Sequence, residues 1–365
     1  MILAQLRSYM NRRSCLLTIF FVFIVVGFAV AQTKWPGASP YKLLKTITIG
    51  GEGGWDYLAT DEAARRVYVT HQSRIIALDI DKDEVVGEIA DTPGVHGFAV
   101  APELSLGFSS NGRENKASIV DLKTLQTKAK VDTGTNPDGI LYIPGVQEVY
   151  TFNRDRNAPS ATVFEAKTGK VITTIKLPGT PEFAVVDTAA GRVYNNIDSK
   201  DMVVAIDIKT HEIVAQWPTA PGGGGSGMAI DLANHRLFIG CDDVMIMMDS
   251  VSGKVVGTVP IGAGVDANRF DPGTKLAFAS CGRAGSVTIA KEETPEKLTV
   301  IQTLETARGS RTMTLDPKTH KIYLAAVDYA QAPEAPPAGT PSGKFARPQP
   351  VPNSFKVLVY GVDEK

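Results

Sequence analysis

Positive charge is the first thing this chain has no surplus of. In 365 residues, 38 Lys and Arg face 39 Asp and Glu, a formal net charge of −1. The basic footprint of a nucleic-acid binder is absent, so no nucleic acid is expected as partner. Cysteine is scarce, with three residues, and no CxxC, HExxH or EF-hand spacing occurs. A divalent cation stays open as a cofactor, but no metal motif signals one. The G-x-S-x-G elbow, the P-loop and the dinucleotide fingerprint are missing wherever strand–turn–helix context would support them. Enzyme activity therefore has no specific signature. Long apolar runs are missing too, with one exception near the start.

That exception reads as export. Arg12 and Arg13 precede an apolar core at residues 16–28, and Ala29-Val30-Ala31 forms an A-x-A cleavage site before Gln32. Residues 1–31 are expected to be a cleavable signal peptide, and the protein periplasmic or secreted. The core is short against the roughly 20 residues of a transmembrane helix, so no membrane span is expected after cleavage. Its removal takes away Arg7, Arg12 and Arg13 and no acid, moving the net charge from −1 to −4. A mildly acidic surface suits a soluble exported protein, expected to be a monomer.

What the chain does have is a repeat. Its unit begins with WDYLATDEAARRVYV at residues 55–69, an apolar strand, an Asp-led turn and a second strand carrying an aromatic. The aromatic returns as Tyr68, Phe108, Tyr150, Tyr194, Phe238, Phe278 and Tyr323, in steps of 40, 42, 44, 44, 40 and 45 residues. Each unit continues with a strand holding an acid (Asp79, Asp121, Glu165, Asp207, Asp249) and an outer strand such as EVVGEIA or KVVGTVPI. A period in the forties built of short β-runs marks a radial array. Four strands per unit and seven units predict an all-β fold, a seven-bladed β-propeller. Inner runs such as FAVA, AVVD and MAID are apolar almost throughout, as strands covered on both faces should be.

Residues 32–41 form a polar lead-in, and residues 42–365 the propeller domain. LLKTITIGGEG at 43–53 matches the outer-strand pattern but follows no blade, while the last blade lacks such a strand. The N-terminal strand is therefore expected to complete the C-terminal blade and close the ring. Two irregularities interrupt the repeat: a four-glycine run at 222–225, permissive of positive φ, and a proline-rich insertion at 331–353. The insertion cannot be sheet interior; it is expected to reach over the channel as a lid or docking arm, with Phe345 and Arg347 as contacts. Cys241 and Cys281 occupy equivalent positions in adjacent units. That spacing leaves open both a disulfide and two inert thiols.

Twelve residues before each aromatic stand Asp56, His96, Asp138, Glu182, Ser226, Asp266 and Arg311. All are polar and six are ionisable, at the starts of strands that converge on the central channel. A second set, three residues after the aromatics, contains His71, Asn111, Asn153, Ile197, Cys241, Cys281 and Ala326, with Arg113, Arg154 and Arg283 on adjoining loops. The candidate ligand-binding residues are Asp56, His96, Asp138, Glu182, Asp266, Arg311, Asn111, Arg113 and Asn153. So many carboxylates around one opening should raise the pKa of at least one by like-charge crowding. No catalytic residue is assigned, although a carboxylate beside His96 suits general acid–base work.

RVYVTHQS at 66–73, with EVYTFNRD, RVYNNIDS and RLFIGCDD, resembles the forty-residue YVTN repeat, and the chain is similar to the YncE-like family of exported bacterial β-propellers over residues 42–363. Only the first unit keeps Y-V-T. The resemblance implies fold and export but no single biochemical role. Three functions follow as expectations: binding of a small molecule or envelope protein at the channel mouth, a lactonase-like hydrolase or lyase using the acidic and His residues with or without a divalent cation, or an envelope scaffold.

Overall fold

The computed structural model describes residues 40–330 and 349–362. The expected signal peptide, nearly all of the lead-in, and most of the proline-rich insertion with Phe345 and Arg347 lie outside the described residues.

Seven four-stranded antiparallel sheets make up the protein. Innermost strands start at Trp55, Val95, Pro137, Pro181, Met228, Val265 and Met313, one per blade in chain order. Strand Lys42–Thr48 pairs antiparallel with Lys356–Gly361, Lys42 opposite Gly361 and Thr48 opposite Lys356, completing the seventh blade as expected. The seven repeat aromatics are all at most 2% exposed. Each fills the space between neighbouring blades, where aromatic bulk contributes most burial per residue.

The repeated acid of the third strand has a local task. Asp79 accepts the backbone N–H groups of Asp81 and Lys82, and Asp121, Asp207 and Asp249 each accept the same two positions of their own turns. The carboxylate satisfies donors that the turn would leave bare. Here the repeat records turn chemistry rather than a site.

The described ends of the proline-rich insertion bond to each other: Ala330 N–H donates to the Gln349 carbonyl at 3.0 Å and Val351 N–H to the Asp328 carbonyl at 2.7 Å. Cys241 and Cys281 are free and buried. Burial pushes their thiols up to about 12 and about 11, so both are unreactive at neutral pH. Among the described residues, no helix is long and apolar enough to cross a membrane.

Candidate functional site at the channel mouth

Five of the seven register positions sit on β-bulges. Between Trp55 and Leu58, Val95 and Phe98, Pro137 and Ile140, Pro181 and Ala184, and Val265 and Ala267, the inner strand carries one residue more than its partner. Asp56, His96, Asp138, Glu182 and Asp266 lie inside those intervals. A bulge bends the strand and re-aims a side chain, which turns these groups into the channel end. Ser226 and Arg311 lie just before the shorter strands Met228–Asp231 and Met313–Asp316.

The structure joins these residues into one polar network around the mouth. His96 Nδ1 is 2.7 Å from Asp56 Oδ2 and 3.8 Å from Asp138 Oδ1. Arg154 Nε lies 3.4 Å from Asp138 Oδ2; its guanidinium also meets Glu182, and Asp198 at 3.1 Å. Arg311 pairs with Asp266 at 2.6 Å and approaches Asp56 at 3.7 Å. The Ser226 hydroxyl donates to Asp266 Oδ1 at 3.2 Å, and Asn196 Nδ2 donates to the Ser226 carbonyl at 2.7 Å. The linking roles of Arg154, Asp198 and Asn196 were not predicted.

Burial dominates the electrostatics. Asp138 is raised to about 6, first by desolvation and then by the charge of Asp56. Asp56 and Asp266 are raised as well, again chiefly by burial. Like-charge crowding therefore contributes but comes second. Burial pulls His96 down; the Asp56 hydrogen bond and the Asp138 charge more than reverse this, and its pKa is raised.

Just inside the polar ring the channel narrows. Tyr57 and Phe183, each following a ring residue, bring their centroids within 5.1 Å. Arg269 stacks over Phe183 at 4.9 Å and donates to the Leu58 carbonyl at 3.1 Å. A cavity of about 360 Å³ lies on the mouth side, lined by Asp56, Gln72, His96, Arg113, Asn136 and Arg311. A second, of about 290 Å³, lies beyond the narrowing.

A larger cavity of about 730 Å³ opens beside Arg311, lined by Arg283, Arg308, Val327 and Tyr329 among others. Two glycines make room for it. A Cβ on Gly282 would come within 2.6 Å of Arg311 Cβ, and Gly309, at φ +87°, would meet the Tyr329 hydroxyl at 2.6 Å. Arg283 and Arg308 are exposed and make no ion pair among the described residues. Arg308 and Tyr329 carried no register signal.

Asn111 and Asn153 stand apart from the mouth. They lie opposite the first residue of the inner strand and are fully buried. Asn111 Nδ2 donates to Ser118 Oγ at 2.8 Å, and Asn153 Nδ2 to Ser160 Oγ at 3.1 Å. Their amides hold the second and third strands together.

His71 shares that depth. It stacks on Phe355 with centroids 3.9 Å apart, and burial, then the Arg74 charge, lowers its pKa to about 4. Its folded value lies below the ordinary value of about 6.5, so the unfolded chain binds the extra proton between pH 6.5 and 4. The stabilising contribution is present above that window and is lost as pH falls through it. His71→Phe, which keeps the stack without the titration, should show a smaller loss of stability over this range than the wild type in urea midpoints against pH. Parallel curves would assign the acid sensitivity elsewhere.

No protein-family model matches the chain, and no curated protein sequence does. Among solved structures it is similar to a chain of Kuenenia stuttgartiensis hydrazine synthase, with a TM-score of 0.67 and 15% identity over 77% of this chain and 94% of that one. At that identity the likeness concerns architecture, and the protein is a seven-bladed β-propeller.

Proposed function

We propose that the protein is an exported, YncE-like propeller that binds a small anionic ligand at the channel mouth, in the cavity beside Arg311. The observation that carries this reading is the pair Arg283 and Arg308. Both line that cavity, and neither has a carboxylate partner among the described residues, while the carboxylates of the ring are engaged by Arg154, Arg311 and His96. An unpaired guanidinium facing a cavity is a ready donor to carboxylate or phosphate. Val327 and Tyr329 supply apolar wall for the body of such a ligand. Export rests on the sequence of residues 1–31.

Calorimetric titration with a panel of dicarboxylates, aryl carboxylates and phosphate monoesters should find a binder. Arg283→Ala and Arg308→Ala should each weaken it about tenfold or more, as loss of a charge-assisted hydrogen bond implies. A panel in which only neutral or cationic compounds bind would refute the anionic reading.

A hydrolase or lyase is the second reading, supported by His96 held between Asp56 and Asp138. A group poised between two carboxylates, one of them near pH 6, suits proton transfer. Turnover of lactone or ester probes that His96→Gln abolishes would favour it.

A further inference from the structure

The geometry points to a binding site for one first-row divalent transition-metal ion, formed by Asp56, His96 and Asp138 on three successive blades. Asp56, His96 and Asp138 each offer one ligand atom, and these three atoms all lie within 4.8 Å of one another. Each carboxylate turns its other oxygen to an arginine: Asp56 Oδ1 lies 3.7 Å from Arg311, and Asp138 Oδ2 lies 3.4 Å from Arg154. Such outer contacts orient ligands toward a common point.

A separate observation comes from Asp138. The residue is 8% exposed, and its Oδ1 is buried with no hydrogen-bond partner. That oxygen is 3.8 Å from His96 Nδ1. A buried, unsatisfied carboxylate oxygen is costly, and a cation at the shared point would satisfy it.

Charge agrees. Arg154 is already answered by Glu182 and Asp198, and Arg311 by Asp266. Asp56 and Asp138 are left with two negative charges against one imidazole. Metal-donor bonds of about 2.1 Å put tetrahedral donors about 3.4 Å apart. The observed His96 separations, 2.7 and 3.8 Å, bracket that value. One nitrogen and two carboxylates favour Zn²⁺, Co²⁺ or Mn²⁺ over Ca²⁺ and Mg²⁺, which prefer oxygen alone. Asp56 and His96 also line the mouth cavity, so the ion has an open side toward solvent.

This site does not rest on the anionic ligand, because metal binding is read on ligand-free protein. Chelator-stripped full-length protein, titrated with Zn²⁺ and Co²⁺ by calorimetry, should take up one equivalent and show a visible cobalt absorption. Asp138→Asn, nearly isosteric, and His96→Gln should each weaken binding about tenfold or more, and Glu212→Gln, at an exposed position of the fourth blade, should not. Circular dichroism checks that the variants fold. Wild type that takes up no metal at millimolar concentration overturns the proposal. So do folded Asp138→Asn and His96→Gln variants with unchanged affinity, or Ca²⁺ binding more tightly than Zn²⁺.

Discussion

A chain lacking residues 42–48 should fail to form a soluble monomer, the largest effect expected of any change considered. The deleted strand is the fourth of the seventh blade and the only strand ladder that ties the start of the described ring to its end, beside side-chain contacts such as Arg65 to Asp316 and Thr60 to Thr314. It supplies the ladder against Lys356–Gly361, whose residues after Lys356 are all buried. It also brings Ile47 into the core that contains Trp55, Phe355 and Val357. At about 1 kcal/mol net per hydrogen bond, losing the ladder and Ile47 removes several kcal/mol from a total of about 5–15. The bared edge is a template for pairing with other chains. Size-exclusion chromatography and circular dichroism should show aggregate or unfolded protein at 25 °C. A monomeric deletion variant with native unfolding would mean that closure contributes little to stability.

The ring was legible because the hairpin is rigid in length. A fixed count from the buried aromatic back to the inner strand reached the channel mouth in every blade, with the extra bulge residue absorbed the same way in five of them. Depth was less legible. Asn111 and Asn153 end their strands at the same end of the blade as the mouth, yet lie under the neighbouring strand. A serine seven residues later, Ser118 or Ser160, is the signal that each amide is spent inside the sheet.

The narrowing of the channel was hidden for a different reason. Tyr57 and Phe183 occupy the position that holds Gly97, Gly139, Gly227 and Ala267 in other blades. No repeat average reveals two large rings meeting across the axis. Ion-pair partners were equally out of reach: Arg154 bonds to two blades at once, and spacing along the chain says nothing about which carboxylate a long side chain chooses.

Truncating Phe278 to alanine should cost about 3–5 kcal/mol, the range for a buried aromatic whose site collapses only in part. Phe278 has no exposed surface and packs among Leu304, Met313, Leu315, Ile322 and Leu324, so it couples the sixth blade to the seventh. Tyr41 meets its ring edge-on at 5.4 Å, and the Tyr41 hydroxyl donates to the His320 carbonyl at 2.6 Å. The void would therefore open beside the blade that the N-terminal strand completes. Tyr323→Phe, in contrast, removes a buried hydroxyl with no hydrogen-bond partner and keeps the ring. It should leave stability unchanged or slightly raised. Urea unfolding of both variants separates ring packing from hydroxyl bonding as the reason one aromatic recurs per blade. A Phe278→Ala loss below about 1 kcal/mol would mean that the blades close over the void, and the recurrence would then need a cause other than packing.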